Sequence, residues 1–164
     1  MELTDGRIRI EPVTLAGRGG QSRRRLLVRH PGAVVILPIL SDGRLVFVKN
    51  RRFAIDEVLL ELPAGTLEGE SPEETAAREL QEETGYRAAS LRALGSFYSA
   101  PGFCDERMHA FVARDLHAGA QSLDPTEEIE VALHTPGEVD TLIQKGAIID
   151  GKTLAALLLW KLDR

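Results

Sequence analysis

Residues 64–86, AGTLEGESPEETAARELQEETGY, decide the fold of this chain, because they contain a complete helix with both of its ends. Ser71 followed three residues later by Glu74 forms a capping-box pattern, which satisfies the free amides of a helix start. Gly85 supplies the left-handed residue at which helices commonly end. The stretch therefore predicts a helix at about residues 72–84.

This helix gathers carboxylates on one side. At about 100° per residue, Glu79, Glu82 and Glu83 fall within an arc of about 100°, and Ala77 and Leu80 lie beside them as the predicted buried stripe. Carboxylates at this spacing repel one another, and hard oxygen ligands of this kind suit Mg²⁺ or Mn²⁺. The alternative is a solvated glutamate-rich face. The turn glycines and the charged loops around the helix favour a metal site.

The overall composition limits the class of protein. A chain of 164 residues with 43% hydrophobic and 27% charged residues is typical of a folded globular protein, and the length predicts a single domain, residues 1–164. Its net charge of -5 disfavours a nucleic-acid partner, because phosphate backbones are bound mainly by clustered Lys and Arg.

The cellular setting is also predicted from composition. Cys104 is the only cysteine, so an internal disulfide is impossible and a reducing compartment is favoured. The first ten residues have no apolar segment of the kind found in secretory signals. The apolar run 154–160 is far shorter than the roughly 20 residues of a membrane-spanning helix. We therefore expect a cytoplasmic protein without a membrane partner.

Short apolar runs separated by turn residues predict strands on both sides of the helix. Residues 6–13 and 22–29 form an expected antiparallel hairpin, and Asp42 with Gly43 predicts a second hairpin between 33–40 and 45–48. Further strands are expected at 57–62, 91–100, 108–113 and 129–133, and further helices at 135–145 and from Asp150 or Thr153 onward. This order predicts an α+β sandwich with helices packed on a mixed sheet.

The acidic helix resembles the signature box of the Nudix hydrolases. In that box a glycine is followed after five residues by glutamate, and after seven more by a run of arginine, glutamates and glycine. This sequence has Gly65, only four intervening residues, and then a match in order through Glu70, Arg78, Glu79, Leu80, Glu82, Glu83, Gly85 and Tyr86. The missing residue is expected to reshape the loop before the helix without moving its glutamates.

The resemblance implies a metal-dependent hydrolase of the α/β/α sandwich fold that cleaves a nucleoside diphosphate linked to another group. It implies Glu79 and Glu83 as the principal metal ligands, Glu82 as a further ligand or a support for water, and the Ala64 carbonyl as a backbone ligand. Arg78 joins the catalytic set as the residue that pairs with Glu70 and braces the loop against the helix.

The sequence also resembles the ADP-ribose pyrophosphatases of this superfamily. Pro101 lies sixteen residues beyond Gly85, as a proline does in that subfamily, and it is counted with the substrate-binding residues. The words ELPAG, PGFCDE and EEIEV, which begin at Glu61, Pro101 and Glu127, strengthen the likeness. The resemblance implies hydrolysis of ADP-ribose to AMP and ribose 5-phosphate. GDP-mannose and other sugar nucleotides stay open, as does a Nudix-like module that senses a nucleotide without hydrolysing it.

The resemblance extends to residues outside the helix. It places a substrate-binding arginine at Arg52, assisted by Arg51. Glu106 is expected to contact the terminal ribose or a water molecule, or alternatively only to pair with Arg107. The catalytic base is expected at Glu127 or Glu128, with Glu127 preferred. Relatives of this kind are commonly homodimers, and residues 1–30 are long enough to complete a partner's site beside a catalytic core of residues 31–164.

Overall fold

A computed structural model of the protein describes residues 3–4 and 6–163. Met1, Glu2 and Asp5, which belong to the predicted dimerising segment 1–30, lie outside the described residues, as does Arg164. The strands are β1 (Leu3–Thr4), β2 (Arg9–Ala16), β3 (Ser22–Arg29), β4 (Ala33–Pro38), β5 (Leu45–Arg52), β6 (Glu57–Glu61), β7 (Ala64–Thr66), β8 (Tyr86–Tyr98), β9 (Arg107–Ala118) and β10 (Ile129–His134). The helices are α1 (Pro72–Thr84), α2 (Pro136–Gln144) and α3 (Gly151–Leu162). None of these helices combines the length and the hydropathy needed to cross a membrane.

The strands form three sheets. The central one has the order β7-β4-β9-β8 and is mixed, because β4 and β9 run parallel with Ala33 opposite Met108 while the other pairs are antiparallel. A second sheet has the order β10-β5-β6, and β1-β2-β3 form a third, antiparallel sheet at the amino-terminal end. The predicted α+β class, with a mixed sheet and an added amino-terminal hairpin, is confirmed.

Strand β4 lies at the centre of the core because both of its faces are apolar. All six of its residues are buried, and successive side chains point to opposite faces of the sheet. Val34 and Ile36 pack in one cluster with Leu80 of α1. Val35 and Leu37 pack in the cluster on the other side, which contains residues of α3. Helices therefore cover both faces of the central sheet, as expected for an α/β/α sandwich.

Helix α1 begins and ends where the sequence predicted. Ser71 forms a full capping box with Glu74, and Gly85 ends the helix in the left-handed region at φ 76°. The predicted buried stripe was wrong at one position, since Ala77 is exposed and Ala76 is buried instead. Positions 76, 80 and 83 lie on one helix face at 3.6 residues per turn. Glu83 is consequently part of the buried face.

The predicted hairpin between residues 33–40 and 45–48 was also wrong. The turn at Asp42-Gly43 does reverse the chain, but only Ile39 and Leu45 form a bridge before the strands separate into different sheets. Strand β5 pairs instead with β6 and β10. Turn residues identify the reversal, whereas the choice of partner strand depends on contacts made more than 70 residues later in the chain. Strand β7, which lies directly before α1, was not predicted.

Candidate metal and substrate site

A cavity of about 660 Å³ opens beside β7 and the first turn of α3. We call the part of its lining formed by Ala64 and Gly65 its floor, and the other lining residues are charged, polar and apolar. We call the whole cavity the main cavity. The remaining lining residues are Ala33, Arg52, Thr66, Phe97, Tyr98, Ser99, Glu106, Met108, Asp150, Gly151, Lys152 and Ala155.

Two glutamates of α1 contact this floor, although neither of them lines the main cavity itself. The Ala64 amide donates to Glu83 Oε2 at 3.1 Å, and the Glu83 side chain is 3% exposed. Glu79 packs so closely on Gly65 that a Cβ atom built there would lie 1.9 Å from its carboxyl carbon. Because only glycine allows this approach, the pairing of Gly65 with Glu79 fixes the carboxylate against the cavity floor.

Burial makes both carboxylates hard to ionise in the absence of a cation. Desolvation raises the pKa of Glu83 to about 8, opposed by the hydrogen bond from the Ala64 amide and reinforced by the charges of Glu79 and Glu127. Desolvation also raises the pKa of Glu79 to about 7, opposed by the charge of Arg78 and reinforced by those of Glu82 and Glu127. A group of mutually repelling, desolvated carboxylates favours the binding of a cation.

Arg78 connects three glutamates around this helix face. Its Nη1 contacts Glu79 at 3.0 Å and Glu82 at 2.7 Å, and its Nε donates to Glu70 at 3.3 Å. The Glu70 carboxylate also accepts from the hydroxyl of Thr75 at 3.2 Å. The predicted brace from Arg78 to Glu70 is therefore present. Arg78 Nη2 is buried and has no hydrogen-bond partner among the described residues.

A second, smaller cavity of about 280 Å³ lies next to Glu79 and is lined mainly by acids; we call it the carboxylate cavity. Glu127 lines this cavity and its charge reaches both Glu79 and Glu83, whereas Glu128 does not line it. Of the two residues that the sequence left open, only Glu127 is placed beside the helix glutamates. The other lining residues are Arg7, Glu68, Arg78, Glu82, Ser122, Leu123 and Asp124.

The donor set fits a divalent cation in its chemistry. Glu79 and Glu83 contact the backbone at Gly65 and Ala64, and Glu82 is linked to Glu79 through Arg78. A divalent ion would compensate the two carboxylates whose pKa values desolvation raises. Within residues 3–4 and 6–163, however, no three acidic, histidine or cysteine side chains lie close enough together to hold one metal ion. Arg78 and the Ala64 amide occupy oxygens that a metal ion would use.

A charged cluster beside Arg52 was missed by the sequence reasoning. Arg52 Nε donates to Glu61 at 2.8 Å and Nη2 donates to the other carboxylate oxygen, so the predicted substrate arginine is held at the main cavity. Lys152 donates to Glu61 as well, and to Asp150 at 2.9 Å. One signal was available in the sequence, because a lysine two residues after an Asp N-cap faces the positive end of the helix dipole.

Glu106 lines the main cavity and does not pair with Arg107. It accepts from the Ser99 hydroxyl, and its Oε1 lies 3.5 Å from Nε2 of His30, while Arg107 donates instead to Ser96. The Gly32 amide donates to the other ring nitrogen of the histidine. The alternative in which Glu106 only pairs with Arg107 is therefore wrong, and Glu106 lines the main cavity.

Two predicted substrate residues lie elsewhere. Arg51 pairs with Asp56 at 2.6 Å on the surface, and Pro101 is exposed; neither lines the main or the carboxylate cavity.

The loop that lacks one residue of the box turns at Gly69, where φ is 104°, and the glutamates after it still reach the floor at Ala64. The shortened loop is thus accommodated before α1 begins.

The raised pKa values predict how stability depends on pH. Because both folded-state values lie above those of an unfolded glutamate, the folded state binds more protons, and stability is lost as pH rises from about 4.5 through about 8. We expect the melting temperature of EDTA-treated protein to fall between about pH 5 and pH 8, and Mg²⁺ to recover part of the loss. Calorimetry of the wild type and of a Glu79→Gln/Glu83→Gln variant tests this. An equally steep fall in the variant would contradict it.

Comparison with known proteins identifies the family to which this chain belongs. The model of the NUDIX domain matches residues 28–157, which is most of the chain, and the chain therefore belongs to the Nudix family. Enzymes of this family generally need a divalent metal ion, in agreement with the carboxylates described above.

Individual relatives cover most of the chain. An ADP-ribose pyrophosphatase of Bacillus subtilis (strain 168) is 40% identical over 141 residues, which is 84% of this chain and 76% of that protein. A GDP-mannose pyrophosphatase of Yersinia enterocolitica is 34% identical over 151 residues, covering 86% and 78%. The crystal structure of an ADP compounds hydrolase superposes with a TM-score of 0.81 at 26% identity, covering 98% of this chain and 89% of that one.

Proposed function

We propose that this protein is a Mg²⁺-dependent pyrophosphatase that hydrolyses ADP-ribose to AMP and ribose 5-phosphate, with Mn²⁺ able to replace Mg²⁺. The observation that carries the proposal is the packing of Glu79 and Glu83 against the backbone of Gly65 and Ala64, at the floor of a cavity large enough for a nucleotide sugar. The identity of 40% to an ADP-ribose pyrophosphatase supports the choice of substrate.

The residues of the site have different proposed roles, which follow from their positions. Glu79, Glu82 and Glu83, with the Ala64 carbonyl, would hold the metal, which when bound would neutralise diphosphate charge and lower the pKa of water. Glu127, which lines the neighbouring carboxylate cavity, takes a proton from the attacking water. The resulting hydroxide attacks one phosphorus, and the bond from that phosphorus to the bridging oxygen breaks. The bridging oxygen leaves with the other phosphate and accepts the proton that Glu127 took up.

The remaining residues bind and brace. Arg78 holds Glu79 and Glu82 in place through its contacts of 3.0 and 2.7 Å. Arg52 binds the diphosphate at the cavity wall, and Glu106, held by Ser99, accepts hydrogen bonds from a sugar hydroxyl. Arg51 and Pro101 stay proposed substrate residues on the resemblance alone, since both lie outside the two cavities.

GDP-mannose is the second candidate substrate, favoured by the relative that is 34% identical and named GDP-mannose pyrophosphatase. A sensor that binds without hydrolysis is disfavoured, because Arg78, Glu79, Glu82 and Glu83 are all present and a module that only senses a nucleotide need not keep the full set. The main cavity holds charged and polar groups suited to a diphosphate and to hydroxyls, which both sugar nucleotides contain.

A panel of sugar nucleotides tests the proposal. We expect the purified protein to hydrolyse ADP-ribose at a higher kcat/KM than GDP-mannose, UDP-glucose or NAD in millimolar Mg²⁺, and to lose the activity in EDTA. Separation of the products by ion-exchange chromatography measures both. Preference for GDP-mannose would select the second candidate, and inactivity on every member with Mg²⁺ and Mn²⁺ would refute both.

The protein is further proposed to be a cytoplasmic, single-domain homodimer. The lone, buried Cys104 agrees with a reducing compartment. The amino-terminal sheet β1-β2-β3 leaves Leu15 53% and Leu26 67% exposed, which agrees with a surface that a second copy covers. Light scattering coupled to size-exclusion chromatography measures the assembly.

A further inference from the structure

A buried carboxylate with two cationic partners stands at the wall of the main cavity. Glu61 is 1% exposed, so only hydrogen-bond donors of the protein can stabilise the charge of its carboxylate. Arg52 donates to both of its oxygens, through Nε and Nη2, and Lys152 donates to one of the same oxygens. Arg52 and Lys152 also line the main cavity, where an anionic substrate would meet them.

Lys152 is fixed in a position that lysine does not favour. Asp150 is the N-cap of α3, which places Lys152 in the first turn, where the helix dipole repels a cation. Its side chain is only 15% exposed, and the Asp150 carboxylate accepts from it at 2.9 Å. The same carboxylate accepts from the amide and the hydroxyl of Thr153 at 3.0 and 2.6 Å. Two carboxylates therefore hold a nearly buried ammonium group at the cavity wall.

The first turn of α3 is also tied to the chain that leads into the metal site. The Leu62 amide donates to the Thr153 hydroxyl at 2.9 Å, and Lys152 binds the preceding residue, Glu61. Two residues further on, Ala64 donates to Glu83. The cluster around Glu61 is consequently held in a fixed relation to the carboxylates of α1.

We propose that Lys152 is a positioning residue. It compensates the negative charge of the Glu61 carboxylate while the Arg52 guanidinium binds a phosphate of the substrate. Arg52 binds Glu61 through Nε and Nη2, so a phosphate in the cavity is met by Nη1 or competes for the other two nitrogens. A single arginine shared by a buried carboxylate and a phosphate leaves the carboxylate undercompensated, which is costly. Lys152 removes that cost. The inference rests on the proposed pyrophosphatase function.

Steady-state kinetics of Lys152→Met tests the role. We expect KM for ADP-ribose to rise about tenfold, with kcat within about threefold of the wild type, because ground-state binding of the diphosphate is weakened. Lys152→Arg restores most of the affinity, since it keeps a cation beside Glu61. The matched control is Lys161→Met, which removes a lysine of the same helix that is paired with exposed Asp140, and it leaves KM unchanged.

A double-mutant cycle separates positioning from direct contact. In an Arg52→Gln background, Lys152→Met is expected to change KM by less than about twofold, because its effect passes through Arg52. Two effects that simply multiply would overturn the inference. So would a folded Lys152→Met variant with wild-type KM, since a purely structural ion pair changes the melting temperature alone.

The same assay also tests the proposed pyrophosphatase function on which the inference rests. A wild-type protein without activity refutes the pyrophosphatase proposal, whereas an active wild type with an unaltered variant refutes the role of Lys152 only. Circular dichroism checks the fold of each variant. Lys152→Gln, which removes the charge but keeps an amide donor, replaces Lys152→Met where the latter does not fold, with the same rise in KM expected.

Discussion

Replacement of Glu83 by glutamine is expected to lower kcat by about 10³-fold, while binding of the nucleotide sugar in Ca²⁺ survives. Loss of a metal ligand removes about 4 kcal/mol of the charge stabilisation that a bound metal gives the transition state, and each 1.36 kcal/mol is a factor of ten. Single-turnover kinetics measures the chemical step, and calorimetric titration measures binding. Retained turnover would contradict the role of Glu83.

The same replacement is expected to stabilise the metal-free protein at about pH 8. Glutamine keeps the acceptor for the Ala64 amide but removes a desolvated charge, a gain on the order of 2 kcal/mol, or about 4–8 °C in melting temperature. Glu73→Gln is the matched control, because Glu73 lies exposed in the first turn of the same helix. It is expected to change neither turnover nor stability appreciably.

Gly65→Ala is expected to lower kcat by about 10²-fold or more in a protein that still folds. The added Cβ would lie 1.9–2.4 Å from the carboxyl end of Glu79, so this flexible side chain must leave its place against the cavity floor. The fold tolerates such a shift, whereas a metal ligand displaced by an ångström costs catalysis on this scale. Kinetics over a range of Mg²⁺ concentrations is expected to show a weaker apparent metal affinity.

Gly137→Ala controls for the added methyl group. Apart from the adjacent residues and the local helix backbone, no heavy atom of the described part of the chain lies within 4 Å of a Cβ at that position in α2. Alanine also favours a helix more than glycine does. The control is expected to keep wild-type activity and to match or exceed its melting temperature. Full activity of Gly65→Ala with a displaced Glu79 would show that this carboxylate is not needed where the structure places it.

Local sequence signals predicted the helix at the centre of the site. Ser71 and Gly85 define its ends through backbone hydrogen bonds made within a few residues, and the structure has both. The buried face was harder to predict, because Glu83 was assigned to a carboxylate side separate from the apolar stripe. In the structure it lies among the buried residues of that helix, and its raised pKa follows from this burial.

Contacts between distant segments could not be predicted from single residues. Lys152 reaches Glu61 across 91 positions of the chain, and neither residue belongs to a local motif that names the other. Arg51 and Arg52 are adjacent and chemically alike, yet alternation along β5 sends one to Asp56 at the surface and the other to the cavity. A resemblance places a residue in a segment, but the pairing partner decides what the residue does.

The most direct test of the central claim is product analysis of ADP-ribose incubated with the protein, followed by ³¹P NMR. With Mg²⁺ present, the diphosphate resonances are expected to be replaced by those of AMP and ribose 5-phosphate, and an excess of EDTA is expected to prevent the change. An intact diphosphate with Mg²⁺ and with Mn²⁺, or cleavage at the same rate in EDTA, would contradict a metal-dependent pyrophosphatase built on Glu79 and Glu83.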